Sequence, residues 1–359
     1  MIPIVYYISG HGYGHGARSC QVMLSLKKSC PELELHLRTT VPHWLFQDLP
    51  FPASYERRAV DVGVVQEDCL QLKIEETFRG CRNFHDRLPD FMEEELGFIA
   101  RHKIRLVVGD IPPVCFEIAR AAGLPSVAIG NFSWDWIYRA YLPEFPSFLS
   151  LIEEMEGFYR KATLALSLPF SCDLGVFPHQ KPIPLIARVS TLDKIEARKR
   201  WSLPATAPVI LLSFGGLGLK RFPWARLLRS KSFFFVTTGG DPRKDDNLLV
   251  LPDVVPHYED LMRAADAVVS KPGYGVVADA ISHQVPILYT AREDFPEYPF
   301  LVEAIERWAT SEFIPQKELL AGNLEPYLER LLAKKRNWPA VSLNGAEISA
   351  REITNLLAL

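Results

Sequence analysis

Short, largely apolar runs recur along this 359-residue chain, several of them closed by a glycine or a charged residue. Between them, apolar positions return every third or fourth residue. Runs of roughly four to eight apolar residues suit strands buried on both faces, and the slower rhythm suits helices laid on them. In the first half the strand-like runs are 4–9, 34–39, 106–109, 126–130 and 164–167. A helix is predicted over 114–122, ended by Gly123 and Pro125, while 66–102 reads as polar-amphipathic helix without a strand. The rhythm restarts with strands at 209–214, 233–238, 267–270 and 286–289. Such alternation predicts an α/β protein with parallel sheets. The proline-rich stretch 177–184 reads as a linker. Two doubly wound, Rossmann-like domains are therefore expected, 1–184 and 185–342, with the carboxyl ends of their strands facing a cleft. The amphipathic segment 345–359 is expected to form a helix that crosses back to the first domain, so that 343–359 joins it.

The first apolar run ends in Ser9-Gly10-His11-Gly12-Tyr13-Gly14-His15-Gly16-Ala17-Arg18, with a helix expected over 20–26. Glycines in a strand–turn–helix let backbone N–H groups approach an anion or a sugar. The two histidines add a group that titrates near neutrality. Several readings stay open. Gly12 to Ala17 satisfies the dinucleotide pattern, but the second strand ends in Arg38-Thr39-Thr40 instead of an acidic residue; Arg38 would suit a 2′-phosphate. His11 and His15 as metal ligands lack a shared helical face and a glutamate between them. One histidine could act as a general base, or both could simply satisfy turn backbone. A Walker-type loop is excluded, because no Gly-Lys-Ser/Thr follows. The base reading draws support from Asp110, which ends the run 106–110. A carboxylate there could fix a histidine tautomer, or could cap the helix starting near Pro112.

In the second half, Ser270-Lys271-Pro272-Gly273-Tyr274-Gly275 again reads as strand, glycine turn and helix. The N-terminus of that helix suits a pyrophosphate, with Lys271 as a point charge. Asp279, farther along the helix, suits ribose hydroxyls. Gly215-Gly216, closing the first strand of this half, should face the same ligand. Glu293, Asp294 and Glu297 read either as sugar-contacting carboxylates or as a solvated turn.

Composition narrows the partners. With a net charge of -3 and no dense Lys/Arg stripe, nucleic acid is not the expected partner. No apolar run reaches the roughly 20 residues of a transmembrane segment, and no signal-type leader is visible, so a cytoplasmic protein is expected, with peripheral membrane contact left open. The 6 cysteines are scattered without a Cys-x-x-Cys pair, which argues against structural zinc.

These residues resemble the two-domain glycosyltransferases of the GT-B fold, closest to the glycosyltransferase-like N-terminal region of plant L-arabinokinase and its stand-alone bacterial relatives. The resemblance rests on Gly10-His11-Gly12-Tyr13-Gly14-His15, Val65-Gln66-Glu67-Asp68, Asn131-Phe132-Ser133-Trp134-Asp135-Trp136-Ile137-Tyr138 and Lys271-Pro272-Gly273-Tyr274-Gly275. No segment corresponds to the kinase domain of arabinokinase, so sugar kinase activity is not implied. More distantly the layout is similar to the peptidoglycan lipid-intermediate N-acetylglucosaminyltransferase and to plant small-molecule glycosyltransferases. The resemblance implies inverting, metal-independent transfer of a sugar from a nucleotide-sugar, expected to be a UDP-sugar, to an acceptor hydroxyl. It makes 1–184 the acceptor side and 185–342 the donor side. It makes His15 the base and Asp110 its support. Gly215, Gly216, Lys271, Gly273, Tyr274, Gly275, Asp279, Glu293, Asp294 and Glu297 fall on the donor side. Gly14, Arg18, Gln66, Asp68, Asn131 and Asp135 fall on the acceptor side. Trp134 and Trp136 fit a core or a sugar-stacking surface equally. No cofactor is expected, the nucleotide-sugar being a co-substrate. A UDP-sugar 2-epimerase of the same fold and a non-catalytic sugar-nucleotide-binding protein are the alternatives. A nicotinamide-dependent dehydrogenase is the remaining one.

Overall fold

A computed structural model describes residues 1–67, 71–215, 222–292, 294–336 and 338–358. The chain divides into two compact units: Met1–Val65, Leu72–Ile186 and Ser342–Leu359 form the first, Gln66–Gln71 and Ala187–Val341 the second.

The first unit is built on β1 (Ile2–Ile8), β2 (Leu33–Thr39), β3 (Ala53–Arg57), β4 (Leu106–Asp110), β5 (Ser126–Gly130), β6 (Leu164–Ser167) and β7 (Gln180–Pro182). They lie in the order β3-β2-β1-β4-β5-β6-β7, and every neighbouring pair is parallel. The central strands are the continuous apolar runs; β4 and β5 are buried at every position. The two edges were not legible as strands. Most of β3 is polar and β7 is exposed throughout, as edge strands that end a sheet without inviting further pairing often are. Helices α1 (Tyr13–Ser29), α2 (Ile74–Asp86), α3 (Leu88–His102), α4 (Val114–Ala121), α5 (Trp134–Arg139) and α6 (Leu149–Tyr159) belong to this unit. Their core includes Val5, Tyr7, Val107, Phe116 and Tyr159. Each fully buried side chain of this size contributes roughly 1.5–3 kcal/mol.

Helix α1 begins at Tyr13, well before the expected residue 20, so His15 and Arg18 stand on a helix instead of in a loop. Gly16 is required within this helix by packing. A Cβ there would lie 2.5 Å from Leu45 Cδ2 and 2.7 Å from Val41 Cγ1, so this glycine lets α1 approach the segment after β2. The C-terminal helix, Gly345–Leu357, packs against α1. Its first residue passes so near the chain that a Cβ on Gly345 would meet the Pro184 carbonyl oxygen at 2.1 Å.

The second unit repeats the plan with β8 (Val209–Ser213), β9 (Phe234–Thr238), β10 (Arg243–Lys244), β11 (Leu248–Leu251), β12 (Ala267–Ser270), β13 (Ile287–Tyr289) and β14 (Ser311–Phe313). Their order is β10-β11-β9-β8-β12-β13-β14, parallel except for the β10–β11 pair. The helices needed below are α7 (Lys194–Arg200), α8 (Trp224–Leu227), α9 (Tyr258–Ala264), α10 (Tyr274–His283) and α11 (Tyr298–Trp308). Its core includes Ile210, Leu212, Phe235, Val269 and Leu288. In each unit the chain leaves a central strand to one side and later returns on its other side. The switch points fall between β1 and β4 and between β8 and β12, where open α/β sheets bind ligands.

Candidate active site

At the first switch point the ends of β1 and β4 are level, Ile8 pairing with Asp110. Helix α1, leaving β1, carries His15, Arg18 and Ser19 over the end of β4. His15 Nδ1 lies 2.7 Å from Asp110 Oδ1. Arg18 Nη2 donates to the same oxygen at 2.6 Å, Arg18 Nε to Oδ2 at 2.7 Å, and Ser19 Oγ to Oδ2 at 3.1 Å. Arg18 Nη1 donates to Asn131 Oδ1 at 3.0 Å, which draws the end of β5 into the cluster. His15 is nearly buried and Asp110 wholly so. Burial alone would raise the Asp110 carboxyl, but the Arg18 charge and hydrogen bonds, helped by His15, outweigh it and hold the group below its ordinary range.

An ionised carboxylate only accepts, so the proton of His15 is assigned to Nδ1 even though Arg18 Nη2 is 3.0 Å from that atom. This leaves Nε2 with its lone pair, the form a general base needs. The alternative role for Asp110, capping α4, is not realised: that helix starts at Val114 and has no side-chain cap. Arg18, expected on the acceptor side, is instead the counter-ion of Asp110.

His11 has a different partner. Its Nδ1 accepts the Val64 N–H at 3.2 Å, so its proton sits on Nε2. The lone pair of His11 is therefore taken by a backbone N–H, which removes it as a metal ligand beside His15. Among the described residues no group of three His, Cys, Asp or Glu is placed to hold a metal ion. Arg38 also has a structural role. It is buried and donates to Glu95 and Glu56, which removes it as a 2′-phosphate ligand.

Of the other acceptor-side residues, Gly14 is exposed in the first turn of α1. Asn131 is bonded to Arg18 as described. Asp135 is buried at the start of α5, where burial pushes its carboxyl up, and no hydrogen bond joins it to the His15 cluster. Gln66 groups with the second unit, and Asp68 lies outside the described residues. Trp134 is a core residue, 1% exposed, stacked on Tyr138 with ring centroids 5.7 Å apart; Trp136 is partly exposed. The Trp134 ring lies 5.2 Å from that of His11 and 6.5 Å from that of His15. Its Nε1 donates at 2.9 Å to Asp61, a carboxylate that the sequence did not mark. A small apolar pocket, with a volume of only about 30 Å³, adjoins Asp61 and Trp134 and is walled mainly by Phe84, Leu88, Val114 and Met155.

At the second switch point Ser213 pairs with Ser270, and the Ser270 hydroxyl donates to the Ser213 carbonyl. Gly215 follows, exposed and with φ 73°; Gly216 lies outside the described residues. Helix α10 starts at Tyr274 with Gly273 as its N-cap and has neither a capping side chain nor an acidic residue in its first turn. Its first N–H groups and its dipole are thus not answered by a side-chain cap. Lys271 and Gly275 are partly exposed beside it, and Tyr274 is buried.

The expected carboxylates on this side are committed within the protein. Asp279 is 2% exposed. Its Oδ1 accepts the Arg188 N–H at 3.1 Å, and its Oδ2 accepts Arg188 Nε at 3.1 Å and Nη2. It is therefore an ion-pair partner and not an open ribose acceptor. Glu297 is likewise buried, 3.8 Å from Arg292 Nη1, and does not sit at a rim. Asp294 is exposed, and Glu293 lies outside the described residues.

Comparison with known proteins agrees with this architecture. No family model matches the chain. L-arabinokinase of Arabidopsis thaliana is 28% identical over 362 residues, a match covering 97% of this chain and 34% of that protein. The chain thus spans about a third of the length of that curated relative. The glycotransferase of kitacinnamycin superposes with TM-score 0.63 at 14% identity, covering 99% of this chain and 94% of that one. Phytolacca americana UGT2, solved with UDP-2-fluoro-glucose and pterostilbene, gives TM-score 0.63 at 15% identity, with 99% and 94% coverage. The chain has the GT-B fold of glycosyltransferases, with two Rossmann-like halves and a C-terminal helix returned to the first. No helix among the described residues is long and apolar enough to cross a membrane.

Proposed function

We propose that this protein is an inverting glycosyltransferase that moves a sugar from a nucleotide-sugar to an acceptor hydroxyl without a metal ion or other cofactor. The observation that carries the reading is the 2.7 Å contact of His15 Nδ1 with Asp110, which presents Nε2 as a base at the first switch point. His15 Nε2 takes the acceptor hydroxyl proton as that oxygen bonds to the anomeric carbon and the bond to the nucleotide diphosphate breaks. A single displacement inverts the anomeric centre. Asp110 keeps the imidazole oriented and balances the charge it acquires. Because Arg18 already neutralises much of Asp110, that carboxylate orients more than it supplies a net field.

The donor is assigned to the second unit, on Gly215, Lys271 and the first turn of α10, where Gly273, Tyr274 and Gly275 lie. Lys271 and the helix N–H groups stabilise charge growing on the departing diphosphate, the part a divalent cation otherwise plays. The uridine assignment leans on the UDP-sugar analogue named for Phytolacca americana UGT2. The acceptor is assigned to the first unit, where His15 stands. The test is a thermal-shift panel of nucleotides and nucleotide-sugars, followed by product analysis of the best donor with EDTA present. Stabilisation by uridine species above all others, and transfer that survives EDTA, are expected. No stabilisation by any nucleotide, or transfer abolished by EDTA and restored by Mg²⁺, would falsify the donor or the metal-free assignment respectively.

A further inference from the structure

Asp61 is a second carboxylate beside the first turn, and the mechanism above does not use it. One buried side chain is hydrogen-bonded to it. Trp134 Nε1 donates to Oδ2 at 2.9 Å. The Ser9 hydroxyl and the Gly10 N–H face the same carboxyl and favour its charged form. The Ser9 N–H donates to the main-chain carbonyl of Asp110 at 2.7 Å, which ties the start of the turn to the end of β4. On the opposite side the Trp134 indole stands against the rings of both His11 and His15.

We propose that Asp61, in its ionised form, is a positioning residue for His15, holding the Ser9–Gly10 turn and the Trp134 indole against the imidazole. The proposal rests on the transferase reading only for its consequence in turnover; the coupling itself is a property of the folded chain. Burial raises the Asp61 carboxyl above its ordinary range, against the opposing pull of its donors and of His15. The titratable groups facing it are His15 on α1, Cys81 on α2, Cys115 on α4, Tyr138 on α5 and Tyr159 on α6, with His11 across the indole. Burial pushes the Cys81 thiol up to about 12 and holds the other thiol and both phenols well above their usual values. The facing thiols and phenols thus stay neutral while Asp61 titrates. Farther out, His85 and Glu154 pair at 2.6 Å along the same cavity.

The test follows the Trp134 indole N–H and the His15 ring by nitrogen-15 NMR between about pH 4 and 7.5, with W134F and H15Q supplying the assignments. A shared inflection above the ordinary carboxylate range of about 3.9 is expected, and it should vanish in D61N, a near-isosteric variant. W134F removes one donor from the carboxylate, so it should move the His15 inflection to higher pH. If D61N proves poorly folded, that shift decides alone. His15 signals that ignore the Trp134 titration, or a W134F midpoint equal to wild type, overturn the proposal. Turnover is the second arm. D61N should lose about 10²-fold in kcat, the order expected when a reacting group is misplaced, while donor KM stays within about twofold. A wild-type kcat in folded D61N also overturns it. If the wild type turns over no nucleotide-sugar, the transferase reading fails, while the spectra still decide whether Asp61 positions His15.

Discussion

The two switch points are built from different materials. In the first unit, the machinery is a set of side chains converging on one buried carboxylate: His15, Arg18 and Ser19 all meet Asp110. In the second unit it is mostly backbone: an exposed glycine after β8 and a helix N-terminus without a side-chain cap. A converging side-chain network ties chemistry to stability, since each member is also a buried polar group that needs its partners. A backbone site separates the two, because a nearby side chain can be removed without orphaning anything in the core. Variants in the first unit should therefore damage turnover and folding in differing proportions, and those at the second should change nucleotide affinity.

The largest expected effect is on turnover. His15→Ala should lower kcat by roughly 10²–10⁴-fold, the contribution of positioned base catalysis, with nucleotide affinity by calorimetry unchanged. Turnover near the wild-type rate would move the base elsewhere. Asp110→Asn should do something different. It leaves the Arg18 guanidinium, 6% exposed, facing an amide. Breaking a buried pair in this way costs about 3–5 kcal/mol. The midpoint of urea unfolding should fall accordingly, whereas His15→Ala should shift it much less. Equal destabilisation by the two variants would show that Arg18 finds another partner.

The difference between the units also explains what was legible in the sequence. Helix N-termini announce themselves through glycines after an apolar run, so Gly215 and the Lys271–Gly275 turn could be read directly. Asp110 was visible because it ends a strand. The partners of buried charges were not visible, since they are set by distant contacts. Arg188 meets Asp279 from 91 residues away, and Asp110 meets Arg18 across 92. Asp61 lies in 58–65, where valines alternate as in a strand but the chain forms neither strand nor helix, and the pattern gives no sign of the partner its carboxylate finds. The edge strands β3 and β7 escaped for the opposite reason, being polar where central strands are apolar.

The Arg188–Asp279 pair offers a finer comparison inside the second unit. Because both Asp279 oxygens are taken by Arg188, UDP affinity weakened by Asp279→Ala but not by Arg188→Ala would overturn the structural role assigned to that carboxylate. If the pair only braces α10, both variants should destabilise the fold and leave affinity alike. Lys271→Ala is the reference for a direct charge contact. Losing a hydrogen bond to a charged group is worth about 1.5–3 kcal/mol, so its dissociation constant for UDP should rise about 10- to 100-fold.

The smallest effect separates the two carboxylates of the first unit through acid. The folded state holds Asp110 below its unfolded value of about 3.9. Its contribution to stability is therefore complete above that value and is lost as pH falls through it toward the folded one. Asp61 has the opposite sign. Its folded value is raised, so between about 3.9 and that higher value the folded chain binds the proton and the unfolded chain does not. Stability from this group falls as pH rises through that window. Urea midpoints measured from pH 3 to 7 should thus diverge in contrary directions. Relative to wild type, Asp110→Asn should lose more as pH rises from the acid end up to about 4 and then hold a constant deficit. Asp61→Asn should recover stability relative to wild type as pH rises above about 4. Parallel curves for the two variants would mean that neither carboxylate is shifted by its surroundings, and the contrast between a paired and a desolvated carboxylate in one unit would fall.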